Sequence, residues 1–393
     1  MMFTNRYQDL IYFDNSATSW PKPPGVAEAM VHFLTNIGAN PGRSGHQLAI
    51  ESSRIVYETR EKICTLFNAH DPLSVTFNKN ITEAINLVLR GFLKPGDHVI
   101  TSSMEHNSVM RPLRALEATG VEITIVQCTP DGMVDPLSIE KAIRTNTKLV
   151  VINHSSNVIG TILPIAEIGK IAQKYDLLFL VDTAQSAGKV LIDMDKDDID
   201  LLAFTGHKSL LGPMGTGGLV FGNWVNPTRI EPLIRGGTGS RSEEEYQPEF
   251  LPDVYESGTQ NAVGIAGLGA GIDWILEKGV EIIRKHEMGL TQQLIDALKA
   301  IPEVIVYSPD DAKMNTGTVS FNIKGVTPSE VGLRLDEDFG VLSRVGLHCA
   351  PAAHKTIGTF PVGSVRFGVG IFNTSEQVDD AIRAVASIAK ASR

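Results

Sequence analysis

Three cysteines, Cys64, Cys128 and Cys349, are all that the 393 residues carry. They are isolated and show no Cys-x-x-Cys spacing, which excludes a disulfide framework and a zinc site built on paired cysteines. Such sparse thiols fit a reducing compartment. Positive charge is also scarce, with 35 Lys and Arg against 45 Asp and Glu and a formal net charge of −10. That balance argues against nucleic acid or an anionic membrane as partner, since either asks for a basic face. Any anionic ligand must be held by local devices, such as helix N-termini and single cations. No apolar run approaches the roughly 20 residues of a membrane helix, and Met1–Leu10 shows no apolar signal core. A cytoplasmic location is the expectation. Internal repeats and low-complexity segments are missing too. Residues 236–247 (GGTGSRSEEEYQ) are the stretch best suited to a mobile loop.

What is present is 42% hydrophobic and 20% charged residues, enough for a large core in a chain too long for a single one. Short apolar runs alternate with helical patterns through the first two-thirds. Strands are predicted at Leu73–Phe77, His98–Ser102, Glu122–Val126, Lys148–Asn153, Leu177–Asp182 and Leu201–Thr205. Helices are predicted at Glu83–Phe92, Val109–Ala118 and Ile165–Tyr175. Continuously apolar strands separated by helices are buried on both faces, so the reading is a mostly parallel α/β sheet. In such sheets ligands sit beyond the carboxyl ends of the strands.

Beyond about residue 276 the pattern changes to a long helix (Val280–Ile301), strands near Val304–Tyr307, Thr316–Ile323, Val341–Ser343 and Val365–Val369, and a closing helix over Glu376–Ala391. This predicts a large domain over 15–276 and a smaller α+β domain over 277–393, with residues 1–14 packing on the latter.

The unusual polar residues collect at the predicted strand ends. Lys208 follows one, inside the segment Phe204-Thr-Gly-His-Lys-Ser-Leu-Leu-Gly-Pro-Met-Gly-Thr-Gly-Gly218. A lysine there suits carbonyl chemistry once partial burial lowers its pKa; alone it reads equally as a surface lysine in a turn. Asp182 ends the apolar strand Leu177–Asp182 and precedes Thr183-Ala-Gln185. It is placed either to cap the next helix or to pair with a protonated pyridine nitrogen, the partnership that turns pyridoxal phosphate into an electron sink. Asn80-Ile-Thr82-Glu83 reads as a capping box at a helix N-terminus, a plain cap or an anion site to which Thr82 adds a hydroxyl. His106 and Asn157 follow two further strands. Either serves equally well as an ordinary loop residue, but an imidazole at His106 is also placed to stack on a flat ring. Five strand ends with such residues favour one chemistry over five coincidences.

These segments, in this order, resemble the class V aminotransferase family of fold-type I pyridoxal 5′-phosphate enzymes. The likeness runs from Tyr12-Phe-Asp-Asn-Ser-Ala-Thr18 to Phe372-Asn-Thr374. The resemblance implies Lys208 as Schiff-base lysine, Asp182 as pyridinium partner and His106 as stacking group. Asn157 and Gln185 would bond the cofactor's O3′ region. Thr82, with Ile81 beside it, Thr205 and His207 would hold the phosphate. Thr259 would reach in from a second subunit, which implies a homodimer.

Within the family, Arg344-Val-Gly-Leu-His-Cys349-Ala-Pro resembles the active-site loop of Suf-type (group II) cysteine desulfurases and their selenocysteine lyase relatives. Only 17 positions separate Cys349 from Arg366, as in the short-loop members. By that resemblance the enzyme converts L-cysteine to L-alanine and leaves a persulfide on Cys349. Arg366, with Asn157, would bind the substrate, the guanidinium meeting its carboxylate through two hydrogen bonds. A separate sulfur-acceptor protein is an expected partner. L-selenocysteine lyase, C–S β-lyase and aminotransferase activities are the alternatives. Cys64 and Cys128 read as small buried apolar residues. His348, Cys349 and His354 lack the further ligands of a metal site, and no metal is expected. Asn80-Ile81 stands where Suf-type members usually carry Gly-Thr, and Leu347 where a histidine is frequent.

Overall fold

The computed structural model describes residues 10–42 and 45–391. Its centre is a seven-stranded sheet in the order Val75–Asn78, Gly217–Phe221, Leu201–Thr205, Leu178–Asp182, Thr147–Asn153, His98–Ser102, Glu122–Val126. Gly217–Phe221 is antiparallel to both its neighbours, and the remaining pairs are parallel.

The pattern that predicts the sheet is the one that packs it. Val150 and Ile152, Phe179 and Val181, and Leu202 and Phe204 enter a core on one face. Their alternate neighbours Leu149 and Val151, Leu178 and Leu180, and Leu201 and Ala203 enter a second core on the other. Successive side chains of a strand point to opposite faces, so a continuous apolar run serves two cores at once.

The sequence reading has no strand at Gly217–Phe221, because its Gly-Gly start reads as loop. Those glycines mark close approach instead. A Cβ on Gly217 would lie 2.8 Å from the Asn80 backbone, so this position lets the turn before the Ile81–Phe92 helix settle onto the sheet. Predicted ends also shift. Pro72–Ser74 is a short 3₁₀ turn before Val75–Asn78, and the helix starts at Ile81 rather than Glu83.

The C-terminal part carries a four-stranded antiparallel sheet, Arg344–Gly346, Ser364–Gly368, Thr318–Ile323, Val304–Val306. The expected strand near Val341 is shorter and lies elsewhere: Val341–Leu342 pairs with Ile11–Tyr12, and Arg344–Gly346, not foreseen, takes the place in the sheet. Phe13 joins the core of this part. Residues 1–9 of the N-terminal segment expected to pack here lie outside the described residues. The helix Val280–Lys299 gives Val280 and Ile283 to the large core and Leu290, Leu294, Ile295 and Leu298 to the small one, which ties the two together. Among the described residues no helix is long and apolar enough to cross a membrane.

Candidate active site

Every residue that the sequence nominates for the site, except Thr259, lines one cavity of about 340 Å³ at the carboxyl ends of the parallel strands. The strand ends deliver the residues in turn. Leu178–Asp182 ends in Asp182, which is buried and accepts the Ala184 N–H at 2.9 Å. Leu201–Thr205 leads to His207 and Lys208. Ser19 Oγ donates to the Lys208 carbonyl at 2.7 Å, which fastens that turn to the N-terminal segment. Gln185 is held to the same segment by its Nε2, which donates to the Ser16 carbonyl at 2.9 Å.

Burial decides the protonation states. It pushes the Lys208 amine down to about 8, against the opposing pull of Asp182. It also raises the Asp182 carboxyl, against the pull of the Ala184 N–H and of Lys208. A neutral amine is therefore accessible to Lys208 near neutral pH, as carbonyl chemistry requires. His106 is brought down to about 3, by burial first and then by Lys208. The Ser108 N–H donates to His106 Nδ1 at 3.0 Å, so that nitrogen carries no proton. A neutral imidazole adds no positive charge beside a cationic ring.

At the Asn80 turn the expected capping box is shifted by one residue. Asn80 Oδ1 accepts the Glu83 N–H at 3.0 Å, but Glu83 Oε2 reaches back to the Lys79 N–H at 2.8 Å instead of that of Asn80. Among the described residues the Ile81 and Thr82 N–H groups have no partner, and both residues line the cavity. Two free N–H groups at the start of a 12-residue helix make an anion cradle.

Arg366 is 2% exposed. Its Nη2 meets Asp14 Oδ1 at 2.9 Å and its Nη1 donates to the Asn157 carbonyl at 2.8 Å, while its Nε has no partner. The guanidinium is thus already oriented, with donors left over. Asp14 stands in the Tyr12–Thr18 motif, but no local pattern marks it as the partner of Arg366. Arg344 likewise goes unmarked by the sequence; it stands opposite Arg366 in register, lines the cavity and has no ion-pair partner among the described residues. A cavity with two arginines and a lysine favours anions in an otherwise acidic chain.

Cys349 is exposed and lines the same cavity. Burial pushes the Cys64 thiol up to about 11 and raises Cys128 as well, so neither offers a ready thiolate. Thr259 lies apart. It lines a second cavity of about 350 Å³ with Asn78, Lys79 and Glu83, and does not reach the Lys208 cavity of its own chain.

The residues present fit pyridoxal 5′-phosphate. The cavity has a buried carboxylate, an amine, a neutral imidazole and an anion cradle, and its polar atoms Asn157 Oδ1 and His207 Nδ1 are buried without partners.

Comparison with known proteins agrees with this geometry. Residues 11–380 match the Aminotransferase class-V family. A protein of Methanothermobacter thermautotrophicus named "Probable cysteine desulfurase" is 37% identical, over 94% of this chain and 92% of its own length. One of the same name from Pyrococcus abyssi is 34% identical, over 98% and 96%. Among solved structures, the apo cysteine desulfurase of Thermococcus onnurineus superposes with a TM-score of 0.91 at 34% identity, covering 97% of this chain and 95% of that one. The Escherichia coli cysteine desulfurase CsdA superposes with a TM-score of 0.87 at 26% identity, over 98% and 95%.

Proposed function

The chain belongs to the class V aminotransferase family, and we propose that it is a pyridoxal 5′-phosphate-dependent cysteine desulfurase that carries sulfur on Cys349. One observation carries this reading: an exposed cysteine lines the same cavity as Lys208, Asp182, His106 and Arg366. A transaminase has no use for that thiol.

Pyridoxal 5′-phosphate, when bound, supplies an electron sink for reactions at the carbons of an amino acid. Lys208 would carry it, Asp182 would face its ring nitrogen and His106 its ring. The Ile81 and Thr82 N–H groups, with Thr205 and His207, would take its phosphate, while Gln185 and Asn157 would bond its O3′ region. Arg366, and Arg344 beside it, meet the carboxylate of L-cysteine. The Lys208 amine, once free and neutral, takes the Cα proton. The Cys349 thiolate attacks the substrate sulfur, the carbon–sulfur bond breaks with its electron pair left on Cβ, protons are returned at Cβ and Cα, and the products are L-alanine and a Cys349 persulfide. One sulfur atom moves and no external oxidant or reductant is needed.

The persulfide then passes to a reductant or to an acceptor protein, in a reducing compartment such as the cytoplasm. We also read the enzyme as a homodimer. Thr259 cannot serve its own cavity, and a second copy gives it one to serve. The exposed Val31, Leu34, Leu48, Ile50 and Tyr57 on the helices Pro24–His32 and Gln47–Phe67 and the turn between them offer apolar surface for a second copy to cover.

The test is an incubation with L-cysteine and a reductant, with sulfide and alanine measured together. Equal yields of the two support the reading. Pyruvate with sulfide would make the protein a β-lyase, and conversion of the cofactor to its amine form without sulfide would make it an aminotransferase. Equal yields from L-selenocysteine alone would make it a selenocysteine lyase.

A further inference from the structure

The turn that carries Cys349 has a backbone its sequence does not favour. His348, at φ 47°, and Cys349, at φ 58°, are consecutive non-glycine residues in the left-handed region. Side chains disfavour that conformation, and two in a row persist only where the surroundings hold them. Within the turn, the Ala350 N–H donates to the Leu347 carbonyl at 2.8 Å. The stronger hold comes from the large sheet. Asn157 Nδ2 donates to the His348 carbonyl at 2.7 Å, and the Asn107 N–H donates to the Cys349 carbonyl at 2.9 Å. Both strained residues therefore have their carbonyls fastened by groups that follow sheet strands, Thr147–Asn153 and His98–Ser102.

Asn157 is tied in on its other side as well. Its backbone carbonyl accepts Arg366 Nη1 at 2.8 Å, and Arg366 is anchored on Asp14. The residue next to it is fixed in turn, since Ser320 Oγ donates to the Val158 carbonyl at 2.6 Å. A carbonyl oxygen can only accept, so the amide nitrogen of Asn157 must be the atom that faces His348. Its Oδ1 has no partner.

We propose that Asn157 is a positioning residue for sulfur transfer: its side-chain amide holds the strained His348–Cys349 turn in place, and its backbone sets that turn in register with Arg366. The inference takes its meaning from the desulfurase reading, but the clamp itself does not depend on it. Contacts to a cofactor would occupy Oδ1 or the second amide proton. The proton given to His348 is a separate duty.

Amide hydrogen exchange of the cofactor-free protein tests the clamp, and steady-state kinetics of the loaded enzyme test its purpose. Two variants serve, Asn157→Ala, which removes the amide, and Asn157→Asp, which keeps its size but not its donor. Loss of one buried hydrogen bond should speed exchange at residues 347–350 by about ten-fold in both, with Leu178–Asp182 unchanged. In the loaded enzyme, kcat for sulfide and alanine should fall by about ten-fold or more, and KM for L-cysteine should rise only by the loss of the Asn157 side-chain contact, because Arg366 keeps its bond to the backbone carbonyl. Exchange at 347–350 equal to the parent's would overturn the proposal, even if activity fell, since Asn157 would then serve the cofactor alone. Lost protection throughout the sheet in both variants would overturn it too, by making Asn157 a residue of the fold. If the parent releases no sulfide, the desulfurase reading fails while the exchange result still decides the clamp.

Discussion

Asp182 ends one strand of the large sheet and Lys208 follows its neighbour, and both strands are buried on both faces. Cys349 is exposed, between a three-residue strand and a six-residue helix, on two residues with positive φ. In the first region packing fixes the backbone, and burial then sets the charge states. In the second, a few hydrogen bonds fix the backbone. The difference suits the proposed duties. An electron sink needs a rigid, dry setting, whereas a sulfur carrier must meet both a buried substrate and an outside acceptor. The two regions should accordingly fail in different ways when altered.

The largest effect is expected from Lys208→Ala. The variant loses both the proposed attachment of the cofactor and the proposed acid–base group, and turnover should fall by roughly a thousand-fold or more. The melting temperature of the cofactor-free protein should not fall, since an amine that burial holds below its usual pKa gives the fold no help. Next comes Cys349→Ser, in which sulfide and alanine release should fall by roughly a hundred-fold or more, because a hydroxyl neither matches the thiolate as nucleophile nor holds sulfur. The cofactor's colour should persist, and stability should stay within about 0.5 kcal/mol at so exposed a site.

Asp14→Ala should act between the regions. It leaves the Arg366 guanidinium buried without its carboxylate, a loss of about 3 kcal/mol in chemical denaturation, together with a raised KM for L-cysteine. An unchanged denaturation midpoint would show that Asp14 is not what holds Arg366.

The smallest effect concerns Glu105, which lies behind the site. It is fully buried, and Oε1 takes both its bonds, from Ser102 Oγ at 2.6 Å and from the Asn153 N–H at 3.1 Å. Burial pushes its carboxyl from 4.5 up to about 8, and Asp182 adds to the shift. The folded value lies above the unfolded one, so the native protein keeps a proton that the unfolded chain releases. The stability linked to Glu105 is therefore complete below the unfolded value and is lost as pH rises through the folded one. Glu105→Gln is neutral at every pH and escapes that loss. Its melting temperature relative to the parent's should climb by a few degrees between about pH 5 and about pH 8. Parallel curves would mean that Glu105 is already ionised in the fold.

The same contrast explains what the sequence shows. Strands buried on both faces announce themselves as apolar runs, and His98–Ser102 and Leu201–Thr205 have the predicted ends, as does the half-buried edge strand Glu122–Val126. The residues just past those ends follow at once. Gly217–Phe221 escapes because its glycines look like loop, although Gly217 is needed where Asn80 packs and Gly218 where Thr76 and Phe204 do. Arg344–Gly346 and Ile11–Tyr12 escape because runs of two or three residues carry no period. Asp14 is a long-range partner, 352 positions from Arg366, and no local pattern links the two. The hold of Asn157 and Asn107 on the Cys349 turn is likewise invisible in the chain, since it depends on backbone carbonyls that every residue has. Thr259 is legible only through family resemblance, and one chain leaves it facing a different cavity.

If the proposed function holds, the two regions form one sulfur-transfer site ending at Cys349. Adding about one equivalent of L-cysteine to the loaded enzyme without reductant, followed by mass spectrometry of its peptides, tests this most directly. The expected result is a single extra sulfur atom on the peptide that contains Cys349, none on those of Cys64 and Cys128, and one alanine released per sulfur bound. Extra sulfur on Cys64 or Cys128, or alanine formed while Cys349 stays unmodified, would contradict it.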